Sequence, residues 1–333
     1  MSKVVAVLTV AAIALSCGSG VLAPPSAPEQ RGIAMPTYVS DGYARTQTSQ
    51  FLREVSAAGA EWVQIVPTWY QAESRSSKIG PTTKTAHDDS VEQVIRRAHQ
   101  LGLKVLLKPH VDVADESWRG NIKPDDGPAW FASYTTFITH YAELAERMGA
   151  EQFAVGTELA RVSTDRVGWL SVVGSVRSRY TGALLYSANF NEYRQVAFWD
   201  AVDIAGINAY WSLSEQPTTD VGTLQAAWRP IRNDLADFAA QTGHPILFTE
   251  AGYTSQEGTT TAPFSWSTGG VVSQAEQAAG YQALIATFEQ SPWWAGVFWW
   301  AWDDPGGNGD DAATSYSPRG KSAENVIRSR WTR

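Results

Sequence analysis

The feature that most constrains this chain is an alternation. From Arg31 onward a short apolar run, a polar loop and an amphipathic helical segment succeed one another, and the apolar runs number eight. They are Gly32–Tyr38, Trp62–Trp69, Lys104–Val111, Gln152–Gly156, Ala183–Ser187, Val202–Ala209, Pro245–Thr249 and Ala295–Trp300. Helical spacing predicts Gln47–Gly59, Ser90–Gly102, Trp130–Met148, Asp165–Tyr180, Leu224–Thr242 and Ser273–Gln290 between them, and Ser322–Trp331 at the end. In the first helix Phe51, Leu52 and Val55 share one face. Ser90 and Gln93 read as a capping box, Asp88 and Asp89 as charges at the same helix start, and Gly102 as its stop. The strands are continuous, mainly apolar runs, which is the pattern of a parallel sheet covered by helices. Eight such strands with intervening helices fit an α/β fold, a single-domain (β/α)8 TIM barrel. A doubly wound open sheet is the rival, but no Gly-x-Gly-x-x-Gly turn follows the first strand.

The chain of 333 residues shows no compositional break that would split it. Its first residues have a separate character. Lys3 precedes a run, Val4–Leu15, that is apolar except for Thr9, as in a secretory signal and too short for a membrane span of about 20 residues. Cleavage after Val21-Leu22-Ala23 is one reading, although Pro24 follows directly. The other is Ala14-Leu15-Ser16-Cys17, which resembles a bacterial lipobox with Leu one place off, and makes Cys17 a lipid anchor. The expected organisation is a signal segment at 1–23, a linker at 24–30 and one barrel domain at 31–333. The expected location is outside the cell, secreted or lipid-anchored, with no membrane span and as a monomer. A net charge of −8 disfavours nucleic acid, and a single Cys excludes a disulfide framework or a structural Cys zinc site. Fifteen Trp imply a large core or a surface that stacks on flat ligands.

In a barrel of this kind the chemistry lies at the C-terminal strand ends. Met35 and Tyr38 stand at the first end, Thr68, Trp69 and Tyr70 at the second, and Lys108, His110 and Asp112 at the third, followed by Trp118 and Arg119. Glu158 follows the fourth strand, Asn189 and Asn191 the fifth, and Asn208, Tyr210 and Trp211 the sixth. Glu250 ends the seventh and Tyr253 follows it; Trp299, Trp300, Trp302 and Asp303 stand at the eighth. No metal-ligand cluster is among them, and no cofactor is expected. Asp303 and Asp304 lead into Pro305-Gly306-Gly307-Asn308-Gly309, a solvated rim loop rather than a Ca²⁺ loop. Glu158 and Glu250 are the sharpest pair. An ionised Glu ending an apolar strand is costly unless it has partners. Each could merely pair with a rim Lys or Arg, but two of them, one held as an acid and one ionised, are the requirement of glycoside hydrolysis.

Three segments carry a family resemblance. Lys108-Pro109-His110-Val111-Asp112, Val155-Gly156-Thr157-Glu158-Leu159 and Thr249-Glu250-Ala251-Gly252-Tyr253 resemble motifs of glycoside hydrolase family 113. That family comprises retaining endo-β-1,4-mannanases in a clan of barrel glycosidases with catalytic carboxylates on strands four and seven. The likeness runs from Gly32 to Trp331 and includes Trp118-Arg119-Gly120 and Ser317-Pro318-Arg319-Gly320-Lys321. It implies Glu158 as acid/base, Glu250 as nucleophile, Tyr210 as the phenol orienting Glu250, and a neutral β-linked polysaccharide or oligosaccharide as substrate. Thr157 departs from the clan, where Asn often precedes the acid/base and binds the sugar 2-hydroxyl; Asn189 or Asn191 is the expected substitute, unless the contact is absent.

The remaining expectations concern substrate contacts. Lys108, His110 and Asp112 alternate and so face one side, as sugar contacts or as a buried ion network. Asn208 shares the face of Tyr210 or caps backbone, and Arg119 steadies a carboxylate or forms a loop salt bridge. Pyranose rings present apolar C–H faces, so flat aromatics suit them. Trp300 or Trp302 is expected at the cleaved sugar and Trp69 or Trp211 further out, with Trp118 and Tyr253 also on the cleft; Trp130, Trp169, Trp228 and Trp331 read as packing residues. Another β-glycan (glucan, xylan or galactan) and a non-catalytic glycan-binding barrel are the competing readings.

Overall fold

In the computed structural model, residues 26–304 and 312–332 are described. The expected signal segment with Cys17, the start of the linker, and Pro305–Gly309 lie outside the described residues.

The alternation closes into a barrel. Its eight strands are β1 (Gln30–Pro36), β2 (Trp62–Val66), β4 (Lys104–Leu107), β6 (Gln152–Thr157), β7 (Ala183–Asn189), β8 (Ile204–Asn208), β9 (Ile246–Ala251) and β10 (Trp294–Trp299). The ring runs β1-β10-β9-β8-β7-β6-β4-β2 with parallel pairing throughout. The helices are α1 (Thr46–Ala57), α2 (Asp88–Gln100), α3 (Gly127–Met148), α4 (Arg166–Arg177), α5 (Val221–Thr242), α6 (Gln274–Phe288) and α7 (Ser322–Trp331).

Two expected strands are each broken by a proline. The run Trp62–Trp69 divides at Pro67 into β2 and β3 (Thr68–Gln71), and the run Lys104–Val111 divides at Lys108-Pro109 into β4 and β5 (His110–Val113). Proline has no N–H for the ladder, so the barrel pairing stops there. Beyond the break β3 and β5 pair as a separate two-stranded parallel sheet, with Thr68 opposite His110 and Tyr70 opposite Asp112. A third difference lies at α2. Its N-cap is His87, so Asp88 and Asp89 occupy the first turn and Ser90 is already helical, with no capping hydrogen bond. The two aspartates complement the dipole, and the helix starts two residues before the capping box read from the sequence. Elsewhere local chemistry sets the ends: the Ala129 N–H donates to Asp126, the Gly168 N–H to Asp165, and Gly149 and Gly243 terminate α3 and α5 in left-handed conformation.

The barrel interior is layered, and the layering positions the site. Toward the strand starts, Trp62, Leu106, Ala154, Leu185, Ile204, Leu247, Ala295 and Phe298 form an apolar plug. Phe298 lies so close over Gly32 that a Cβ there would sit 2.3 Å from its ring, which only glycine allows. Above the plug lies a polar band: Ser187 Oγ stands 2.6 Å from Thr249 Oγ1, and both hydroxyls donate to Asn208 Oδ1, at 2.8 and 3.0 Å. At the C-terminal end Ala34, Val66, Tyr210, Trp300, Ala301 and Tyr316 form a further buried cluster. The space between strands and helices is filled by the main core, in which Trp130, Trp169 and Trp228 are fully buried. Each such ring contributes roughly 2–3 kcal/mol by burial.

Candidate active site

Glu250 stands within β9, above the polar band, where the strand leaves the apolar plug. Burial pushes its carboxyl above the ordinary range, and the nearby Glu158 charge adds to this. Two donors oppose the rise. Lys108 Nζ donates to Oε1 at 2.5 Å and Tyr210 Oη donates to Oε2 at 2.9 Å. Lys108 follows β4, is 0 % exposed, and also lies 3.5 Å from Asn208 Oδ1. Burial pushes the Lys108 ammonium down while the Glu250 charge pushes it up. The two Glu250 oxygens are met from different sides by an ammonium and a phenol, donors that favour the carboxylate against the effect of burial.

His110 completes this side. Its Nε2 is 3.9 Å from Glu250 Oε1, and neither ring nitrogen has a hydrogen-bond partner. Burial, then the Arg119 and Lys108 charges, drive its pKa well below the ordinary value, so the ring is neutral. It lies nearly parallel to Trp300, with centroids 6.1 Å apart, and Lys108 Nζ is 6.0 Å from the same indole.

Glu158 follows β6 directly and adopts φ +53°, a left-handed conformation that costs a non-glycine residue roughly 1–2 kcal/mol. Its N–H is tied to Ser187 O at 2.8 Å. Its Oε2 accepts from Trp118 Nε1 at 3.3 Å and from Arg119 Nη1 at 3.1 Å, and its Oε1 lies 3.4 Å from Asn189 Nδ2. Arg119 is itself held by Asp112, through Nε at 2.8 Å. The loop after β5 thus brings a cation to Glu158, and β5 supplies the counter-charge that fixes it.

The structure brings together Glu158, Glu250, Tyr210, Lys108, His110, Asp112, Trp118, Arg119, Asn189, Asn208 and Trp300. It places the others elsewhere. Trp69 packs on Phe137, His140 and Tyr141 of α3, because its neighbour Tyr70 takes the Asp112 side of the β3–β5 ladder. Trp211 is half-buried against Phe190, Tyr193, Trp228 and Phe248. Trp302 is buried beside Glu54 and Arg319, so Trp300 is the indole next to the glutamates. Tyr253 is buried against Tyr281 and Gly280, and Trp299 stacks on Tyr281 at 3.9 Å. Asn191 is exposed in the turn after β7, and no hydrogen bond joins it to either glutamate. Asp303 pairs with Arg319 at 3.2 Å.

Ser187, Thr249 and Glu192 belong to the surroundings of the site and escaped the sequence reading. The signal for the first two was a hydroxyl on the inward side of an apolar strand, next to a strand-end amide or acid. Among the described residues, no group of three or more His, Cys, Asp or Glu is arranged to hold a metal ion, and no helix is long and apolar enough to cross a membrane.

The family model of Glycoside Hydrolase Family 113 matches residues 36–321. Three solved structures share the architecture. A GH113 β-1,4-mannanase in complex form is 25 % identical, with a TM-score of 0.83 over 92 % of this chain and 99 % of its own. The GH113 β-mannanase AaManA from Alicyclobacillus acidocaldarius, in complex with ManMIm, is 29 % identical, with a TM-score of 0.82 over 92 % and 97 %. A further GH113 β-1,4-mannanase structure is 26 % identical, with a TM-score of 0.83 over 92 % and 99 %. No curated protein matches the chain.

Proposed function

Because the chain belongs to glycoside hydrolase family 113, and is therefore a glycoside hydrolase, we propose that it cleaves β-1,4-mannosidic bonds in mannan-type polysaccharide or oligosaccharide by double displacement. The observation that carries this reading is the clamp on Glu250. A buried carboxylate is met by Lys108 and Tyr210, donors that favour the ionised form a nucleophile needs, while a second carboxyl, Glu158, stands within electrostatic reach on a different set of donors.

In this mechanism a Glu250 oxygen attacks the anomeric carbon as Glu158 gives its proton to the departing glycosidic oxygen. The sugar is then covalently bound through an ester to Glu250. Water attacks the same carbon, Glu158 takes its proton, and the ester bond breaks to restore both carboxyls. Neutral His110 and the face of Trp300 line the ring position beside Glu250. Asn189 supplies the amide that Thr157 lacks: its Nδ2 reaches toward Glu158, and its buried Oδ1 has no protein partner. That free acceptor suits a sugar hydroxyl, and Asn191 has no such position. Trp118, 41 % exposed and bonded to Glu158, faces the leaving group. Export directed by residues 1–23 completes the proposal, since polymeric mannan lies outside the cell.

The test is hydrolysis of mannan, xylan, β-glucan and galactan by the wild type and by Glu250→Ala. Preferential release of manno-oligosaccharides, lost in the variant, supports the reading. Preference for another polymer overturns the sugar assignment, and full activity in Glu250→Ala overturns the nucleophile.

A further inference from the structure

We propose that Glu192 and Tyr186 are positioning residues that set the backbone and side chain of Glu158 for proton transfer. The inference rests on the reading of Glu158 as acid/base. Glu158 sits in a left-handed conformation at the end of β6, so the direction of its carboxyl depends on how the next residue is held. The Leu159 N–H donates to Tyr186 Oη at 2.9 Å. Tyr186 Oη in turn donates to Glu192 Oε1 at 2.6 Å. Glu192 Oε2 accepts from the Asn189 N–H at 2.9 Å, and the Asn189 amide returns to Glu158 Oε1 at 3.4 Å. The circuit therefore starts at the peptide following Glu158 and closes on its carboxyl.

Every member of the circuit is buried, and Glu192 is only 1 % exposed. A carboxylate in such a place is expensive, and the groups that stabilise it are neutral: Tyr186, the Asn189 peptide and Ser163. Burial pushes its carboxyl up to about 7, and the Glu158 charge adds to the rise, so the two carboxyls lie within electrostatic reach. Packing alone does not need this group, because Tyr186 is already wedged among Trp169, Phe198 and Trp199. What the carboxylate adds is two acceptor oxygens that meet two donors at once. Glutamine has the same shape and only one acceptor oxygen. Glu192→Gln therefore breaks one link of the circuit with little change of volume.

The leaving group reads this role. Departure of phenoxide requires the acid, whereas departure of 2,4-dinitrophenoxide does not. The assay compares kcat/KM on phenyl and 2,4-dinitrophenyl β-mannobioside for the wild type, Glu158→Ala, Glu192→Gln and Tyr186→Phe, each checked for folding by a thermal melt. If the polymer panel selects another sugar, the same aryl pair is built on that sugar. Misplacing the acid in Glu192→Gln is expected to lower kcat/KM about 10- to 100-fold on the phenyl substrate and less than about 3-fold on the dinitrophenyl substrate. Tyr186→Phe is expected to show the same split, and it carries the test if Glu192→Gln does not fold. Equal losses on both substrates, or no loss on either, would overturn the relay while Glu158→Ala still shows its own split. Absence of a split in Glu158→Ala would overturn the acid/base assignment, and the relay with it.

Discussion

Replacing Lys108 by Met removes the buried ammonium that faces Glu250 and leaves a side chain of similar length. In the native site the two groups are 2.5 Å apart, and neither has appreciable contact with solvent. At an effective dielectric constant of about 20, two unit charges at that separation interact by roughly 7 kcal/mol. At about 1.4 kcal/mol per unit this bounds the rise in the Glu250 pKa at about 5 units. Tyr210 still donates to the other oxygen, and water can enter where the ammonium stood, so a rise of about 2 units is expected. As the proposed nucleophile, Glu250 reacts only when ionised, so activity is expected on the alkaline side of its titration. The acidic limb of the kcat/KM profile must move to higher pH by about this amount, with a smaller loss on the alkaline side. Stability follows the same titration. The folded-state pKa in the variant is raised above the unfolded value, so Lys108→Met is least destabilised at low pH, where Glu250 is protonated in both states. Its deficit relative to the wild type grows as pH rises from the folded-state pKa of Glu250 in the wild type, itself raised by burial, toward the higher one in the variant, at about 1.4 kcal/mol per unit, toward the roughly 3–5 kcal/mol of an unpaired buried charge. The double variant Lys108→Met/Glu250→Gln should recover much of that stability, since it leaves no charge behind. The experiments are a pH–rate profile and chemical denaturation between pH 4 and about 8. An acidic limb that stays in place, or a stability deficit that does not depend on pH, would refute the argument that Lys108 acts through the charge on Glu250.

Two further perturbations separate chemistry from packing. Trp118→Phe keeps an aromatic face but removes the N–H that reaches Glu158; kcat/KM should fall about 10-fold, in line with a hydrogen bond to a charged group of about 1.5 kcal/mol, and Trp118→Ala should fall further. Trp69→Ala should behave in the opposite way. The ring packs on α3, so the variant should lose roughly 2–4 kcal/mol in denaturant unfolding while kcat/KM of the folded protein stays within about 2-fold.

The residues most legible in the sequence are those whose character contrasts with their surroundings. A glutamate ending an apolar strand contrasts sharply, and Glu158 and Glu250 both do so. The barrel was legible for the same reason, because eight mainly apolar runs with helices between them have few other ways to bury both sides. Lys108, His110 and Asp112 came out on one side by simple alternation, even though Pro109 divides their strand and moves the last two into a separate ladder. The aromatics were less legible. Trp69 and Tyr70 are adjacent, and only their register against Val111 and Asp112 decides which faces the cleft. Trp300 and Trp302 both lie past the end of β10 at Trp299, so strand alternation does not carry to them, and Trp302 turns toward Glu54 and Arg319. Asn189 and Asn191 stand two residues apart, but β7 ends at the first, so alternation does not carry to the second. Glu192 gave no pattern at all. Its partners are a peptide three residues back and a tyrosine on the middle of β7, and only the folded turn brings them together.

The central claim, that Glu250 forms a covalent bond to a mannosyl unit, has a direct measurement. The protein is incubated with a 2-deoxy-2-fluoro-β-mannosyl fluoride, whose 2-fluorine slows both attack and release while its fluoride leaving group restores attack, and the labelled peptide is located by mass spectrometry after digestion. Inactivation is expected with one label per chain, on Glu250, with protection by manno-oligosaccharide and no labelling of Glu250→Ala. A label on Glu158, or steady turnover of mannan with no label on any residue, would contradict it.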